Sequence, residues 1–93
     1  MDMIEYLLET TITDAINKCG RFQVSRLIGN KSVVLWCEPP KWNAEKKYKL
    51  HAEIGDWKHA ILLTNFCQYS KPGTEKERTS LRKILAEKID NSK

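Results

Sequence analysis

The sequence has no C-x-x-C pair. Its three cysteines, Cys19, Cys37 and Cys67, are odd in number and widely spaced, so neither a zinc ribbon nor a thioredoxin-type motif is available. An odd count also argues against a secreted disulfide scaffold, and free buried thiols in a reducing, cytoplasmic compartment are the expected state. Glycine is scarce. Gly20, Gly29, Gly55 and Gly73 stand alone, which leaves no glycine-rich loop to cradle a phosphate. Apolar runs such as Ala60 to Leu63 are far too short to cross a bilayer. The opening residues hold no basic segment and no small-residue cleavage pattern, and Asp2 and Glu5 interrupt their apolar character, so no signal peptide and no membrane association are expected.

What is present is the composition of a folded chain: 41% hydrophobic and 30% charged over 93 residues. That length has room for one core, so a single domain spanning residues 1–93 is expected. A core of this size stabilises only modestly, which leaves scope for a homodimer or a partner to contribute. Charge is unevenly spread. Residues 1–20 carry Asp2, Glu5, Glu9 and Asp14 against Lys18, a net −3, which leaves +7 for the rest of a chain whose total is +4. An acidic opening followed by a basic body suggests one surface that repels polyanions and another that attracts them.

Hydrophobic periodicity gives the order α-β-β-β-β-α. Ile4, Leu7, Leu8, Ile12, Ala15 and Ile16 recur at helical spacing, predicting a helix over about 3–19 with Asp2 and Glu5 as a capping-box-like start and Gly20 as its stop. The β-branched run Thr10 to Thr13 weakens its middle, where a break is a reasonable expectation. Strands are predicted over about 21–28, 32–38, 47–54 and 57–66, with turns at Gly29-Asn30-Lys31 and Gly55-Asp56. The second strand is apolar in both phases, as if covered on both faces. Pro39-Pro40 ends it, and a short helical turn is expected near Asn43 to Lys46. Thr74-Glu75-Lys76-Glu77 matches a T-x-x-E capping box, and Leu81, Ile84, Leu85 and Ile89 mark a second helix over about 75–89. Two amphipathic helices packed on one face of a four-stranded antiparallel sheet bury both stripes, a two-layer α+β fold.

No catalytic residue, metal ligand or cofactor site is assigned. His51 and His59 flank the Gly55-Asp56 turn and suggest a cross-strand pair, but two imidazoles fall short of the three or four ligands usual for zinc. His51-Ala52-Glu53 matches the H-x-E of zinc deaminases without its P-C-x-x-C partner. Glu38 with Glu45-Lys46-Lys47 is formally a nuclease-like set, and a metal-dependent enzyme stays open only on that ground.

The stretch from Lys41 to His59 is the most suggestive. Lys41, Trp42, Lys46, Lys47, Lys49, His51 and Lys58 interleave cations with a ring, and Arg21, Arg26 and Lys31 extend the patch if the first strand lies nearby. Cations attract phosphate and aromatic faces stack unpaired bases. Tyr48 alternates with Leu50 and is assigned to the core, Trp57 to its edge, and Trp42 to the surface. A small non-catalytic binding module follows, directed at single-stranded or non-specifically read nucleic acid. The alternative is a protein–protein adaptor, or an inhibitor of a larger, nucleic-acid-handling partner of the kind found with mobile elements. An exposed indole serves a protein interface as well as a base.

Overall fold

The computed structural model describes residues 2–64 and 73–91, the side chain of Asn91 excepted. Helix α1 (Met3–Asn17) leads into strands β1 (Val24–Ile28), β2 (Lys31–Glu38), β3 (Tyr48–Ile54) and β4 (Trp57–Leu63), and helix α2 (Glu75–Asn91) closes the order. The strands form one antiparallel sheet in the order β1-β2-β3-β4. The α-β-β-β-β-α arrangement is the one the periodicity predicts.

Each element has a local cause. Asp2 caps α1 by accepting the Glu5 backbone N–H at 2.8 Å. The threonine run does not break the helix, because Thr10 and Thr11 both return their hydroxyls to the Leu7 carbonyl, and this lets Thr11 be fully buried. The helix ends at Asn17, two residues before the expected limit. Residues 21–23, expected in the first strand, belong instead to the turn off α1. The N–H groups of Arg21 and Phe22 are spent on the Lys18 carbonyl, so β1 starts only at Val24.

Two-residue turns set the registers of both hairpins. Gly29 and Asn30 have positive φ (55° and 68°), the left-handed pair that matches strand twist, and they put Ile28 opposite Lys31. Gly55-Asp56 puts Ile54 opposite Trp57. Between β2 and β3, the helical turn falls earlier than expected: a 3₁₀ turn covers Pro40–Trp42, started by a proline whose missing N–H costs nothing there. Asn43 then ties the connection, its Nδ2 donating to the Lys47 carbonyl at 2.8 Å.

At Thr64 the backbone leaves the β4 ladder, and its N–H and hydroxyl donate to the two carboxylate oxygens of Glu77. The expected end of the fourth strand at Phe66, Cys67 and the loop residues Lys71-Pro72 lie outside the described residues. The predicted capping box is formed: the Glu77 N–H donates to Thr74 Oγ1 at 3.1 Å and the Thr74 N–H donates to Glu77 Oε1 at 2.7 Å.

Both helices pack on one face. Leu8, Ile12, Ala15 and Ile16 of α1 and Leu81, Leu85 and Ile89 of α2 meet the inward phase of the strands, Val33, Leu35 and Cys37 of β2 and Leu50, Ala52 and Ile54 of β3 among them. Arg82 bridges the helices, 3.5 Å from Glu9.

Candidate functional site

Because side chains alternate along a strand, burying Leu35 and Leu50 forces Trp36 and His51 to the other face. That face carries Leu27 of β1, Val34, Trp36 and Glu38 of β2, Lys49, His51 and Glu53 of β3, and Lys58, Ala60 and Leu62 of β4. Among the described residues no helix covers it. The expectation that β2 is buried on both sides is therefore corrected: Leu35 is fully buried, whereas Val34 and Trp36 are only half-buried, and Leu27 is 70% exposed.

A three-residue array stands at the centre. The indole of Trp36 lies flat on the His51 imidazole, ring centroids 3.7 Å apart and planes within 2°. His51 Nε2 sits 2.5 Å from Glu38 Oε2. Cross-strand pairing explains the stack, since Trp36 is directly opposite His51. Glu38 anchors the imidazole and the imidazole anchors the indole. Ala60, Lys49 and Glu53 also neighbour His51 on this face, and among the described residues no hydroxyl or thiol hydrogen-bonds to its ring.

The two histidines do not pair. The tight turn puts His51 opposite Ala60 and Ala52 opposite His59, a one-residue offset that sends the imidazoles to opposite faces. His59 stacks instead with Trp57 at 5.6 Å, and Lys88 Nζ lies 5.3 Å over the Trp57 ring. Nor does the nuclease-like set assemble: Glu38 is engaged by His51, and Glu45 lies 3.7 Å from Lys49. Among the described residues no three His, Cys, Asp or Glu side chains group so as to hold a metal ion.

At one end of the open face the α1–β1 turn meets the 3₁₀ turn and encloses a cleft of about 200 Å³. Arg21, Phe22, Gln23, Trp36 and Trp42 line it. Phe22 is 66% and Trp42 55% exposed, so both rings present surface to solvent. Gly20 (φ 76°) permits the close approach: a Cβ there would meet Pro39 at 3.4 Å and Trp42 at 3.9 Å. Beneath it, Cys19 and Cys37 share a hydrogen bond. Desolvation raises both thiols; at Cys37, donating the shared bond and the nearby Glu38 charge push the same way, while at Cys19, accepting that bond opposes the rise. Burial thus disfavours the thiolate form at both positions.

The residues expected in a basic patch fall into three groups. Lys41, Trp42, Lys46 and Lys47 are all exposed on the β2–β3 connection, and the exposed Arg21 lies across the cleft from Trp42. Lys49, His51 and Lys58 lie on the open face, where Lys58 is 4.0 Å from Glu53. Arg26 and Lys31 do not extend the patch. Their phase is that of Val24 and Val33, on the helix-covered side, and Arg26 Nη1 donates to Thr10 of α1 at 3.4 Å.

Reading from sequence missed Trp36 and Phe22. Trp36 was open to inference: two helical stripes suffice for one sheet face, so the second apolar phase of β2 had to remain open; Phe22 carried no such signal. No helix of the described residues is long and apolar enough to cross a membrane. No family model matches the chain, and no curated protein or solved structure was found to be similar to it.

Proposed function

We propose that this chain is a non-catalytic binding module that holds single-stranded nucleic acid at the cleft end of its open sheet face. The reading rests on one observation: exposed aromatic rings, Trp42 and Phe22, share a cleft with Arg21, and Lys41, Lys46 and Lys47 stand exposed on the same connection. Rings supply surfaces for unpaired bases and the cations pair with phosphates. The connection is tied by the two Asn43 contacts to the Lys47 main chain, so the backbone that carries the lysines is already ordered before binding.

The test is the affinity of oligothymidylate and oligouridylate for the purified protein, read by fluorescence anisotropy. Between about 50 and 200 mM salt the affinity is expected to fall on the order of tenfold or more for a few phosphate contacts. Reversing both Lys46→Glu and Lys47→Glu should weaken binding further at low salt. An affinity that stays flat across that range, or no binding at the lower salt, overturns the reading.

A second reading is a protein partner, and a particular feature favours it. On the open face the lysines are matched by carboxylates, Lys49 by Glu45 of the adjoining connection and Lys58 by Glu53, while Glu38 bonds the His51 ring. Together with the exposed Leu27 and Leu62 this is the mixed polar and apolar character of a protein interface. Under that reading Leu27→Ser and Leu62→Ser abolish capture of the partner, the effect is insensitive to salt, and oligonucleotides do not compete.

A further inference from the structure

We infer that the cleft between the α1–β1 turn and the 3₁₀ turn is a single-base subsite: it takes one unpaired nucleobase against the Trp42 indole, with Arg21 on the flanking phosphate. The inference rests on the nucleic-acid reading and adds to it a site and a stoichiometry.

Four features converge on this occupant. First, the cleft is walled by rings: Phe22 and Trp42, both more than half exposed, with Trp36 as the third. Flat apolar surface of this kind gains most from a flat apolar ligand. Second, the Trp36 wall is fixed. Its indole is held on the β3 side by the His51 stack, which Glu38 anchors, whereas cleft residues 21–23 lie on the β1 side. A ring locked in this way loses little freedom when a ligand arrives. Third, Gln23 is exposed and lines the same cleft, offering an amide donor and an amide acceptor to the edge of a base.

The fourth feature is charge. Arg21 lines the cleft; its Nη2 donates to the Asn17 carbonyl at 3.1 Å, and among the described residues its other N–H donors are not engaged by a carboxylate. Lys41 adjoins Trp42 on the 3₁₀ turn. The nearest carboxylate in the sequence of this wall, Glu38, is already committed to His51. A neutral apolar side chain would use the rings and leave the cations idle. A base on its sugar-phosphate uses both. The cleft of about 200 Å³ has room for part of one nucleotide between its walls.

The experiment compares two dodecamers of equal charge, oligothymidylate and an abasic strand, on the full chain and on Trp42→Ala, Trp42→Phe and Phe22→Ala. If a base enters the cleft, oligothymidylate binds on the order of tenfold more tightly than the abasic strand. Trp42→Ala should remove that difference without changing the abasic affinity, Trp42→Phe should restore most of it, and tryptophan fluorescence should be quenched only by the strand that has bases. Circular dichroism and urea midpoints show whether each variant is folded. Equal binding of the two strands, or a Trp42→Ala loss shared by both, overturns the subsite while leaving the nucleic-acid reading intact. If neither strand binds, both fall, and the cleft is left to an apolar side chain of a protein partner.

Discussion

The two faces of the sheet come from the same four strands and carry opposite duties. On the covered face Val33, Leu35, Leu50 and Ala52 have no solvent exposure at all, and they interlock with Leu8, Leu81 and Leu85 of the helices. On the open face the residues between them, Val34, Trp36, His51 and Glu53, are half-buried, and Trp36 stacks on His51, which bonds Glu38, while Glu53 faces Lys58. Burial of apolar surface is the dominant favourable contribution to folding. The covered face therefore holds the fold together, and side chains on the other face are free to vary with little effect on it. Separating the two in this way lets a small domain keep exposed rings without losing its core.

The largest expected effect comes from opening the covered face. Leu35→Ala or Leu50→Ala should cost about 2–5 kcal/mol in urea denaturation, the range for a leucine truncated in a closed core. By contrast, Leu27→Ser and Trp42→Ala should stay within roughly 0.5 kcal/mol of the parent, as surface changes do. Comparable losses on both faces would break the division.

A sharper version uses the two hairpin glycines, both left-handed. At Gly29 (φ 55°) a Cβ would lie 2.8 Å from Ile89 Cγ2 and 3.4 Å from Ile4 Cδ1, against the helices. At Gly55 (φ 60°) nothing lies within 4 Å. Gly29→Ala should therefore cost roughly 2 kcal/mol or more, combining backbone strain with overpacking, while Gly55→Ala pays about 1 kcal/mol for the backbone alone. Equal shifts in urea midpoint would mean that α2 does not seat on the β1–β2 turn as described.

A smaller effect is expected where α2 is tied to the end of β4. Thr74→Ala should cost about 1 kcal/mol through loss of the cap. Desolvation alone would raise the Glu77 carboxyl, but the backbone N–H groups of Thr74 and Thr64 and the two threonine hydroxyls outweigh it and lower its pKa below the ordinary 4.5. A carboxyl lowered on folding contributes stability that is present above the unfolded value and is lost as pH falls through the folded one. Part of the acid sensitivity below about pH 4.5 should therefore disappear in Glu77→Gln, measured as urea stability near neutrality and in acid. A pH profile identical to that of the parent would deny Glu77 this role.

Much of the fold was legible because its signals are local. Asp2, Thr74 and Glu77 are caps that act within one helical turn, and Gly29-Asn30 and Gly55-Asp56 fix their hairpins through two residues. The histidines were misread as a cross-strand pair, since a two-residue turn after Ile54 leaves His51 opposite Ala60 and His59 opposite Ala52. The start of β1 was not legible: alternation through Phe22 and Val24 reads as strand, yet the Lys18 carbonyl captures the N–H groups of residues 21 and 22. For the candidate site, Trp42 was readable from its polar, post-proline setting. Phe22 was hidden, because its apolar character reads as strand, whereas Trp36 was open to inference only through the count of helical stripes available to cover β2.

What the sequence by itself determined is the succession of elements, their caps and turns, and the phase of β3, all of which depend on residues a few positions apart. What only the tertiary structure decided is which of the two apolar phases of β2 the helices take. It also decided that Arg26 turns to α1 and away from the lysines, and that Phe22, Trp36 and Trp42 meet around one cleft. Those outcomes depend on contacts between segments far apart in the chain, where the competition for burial is settled by shape and area rather than by local pattern.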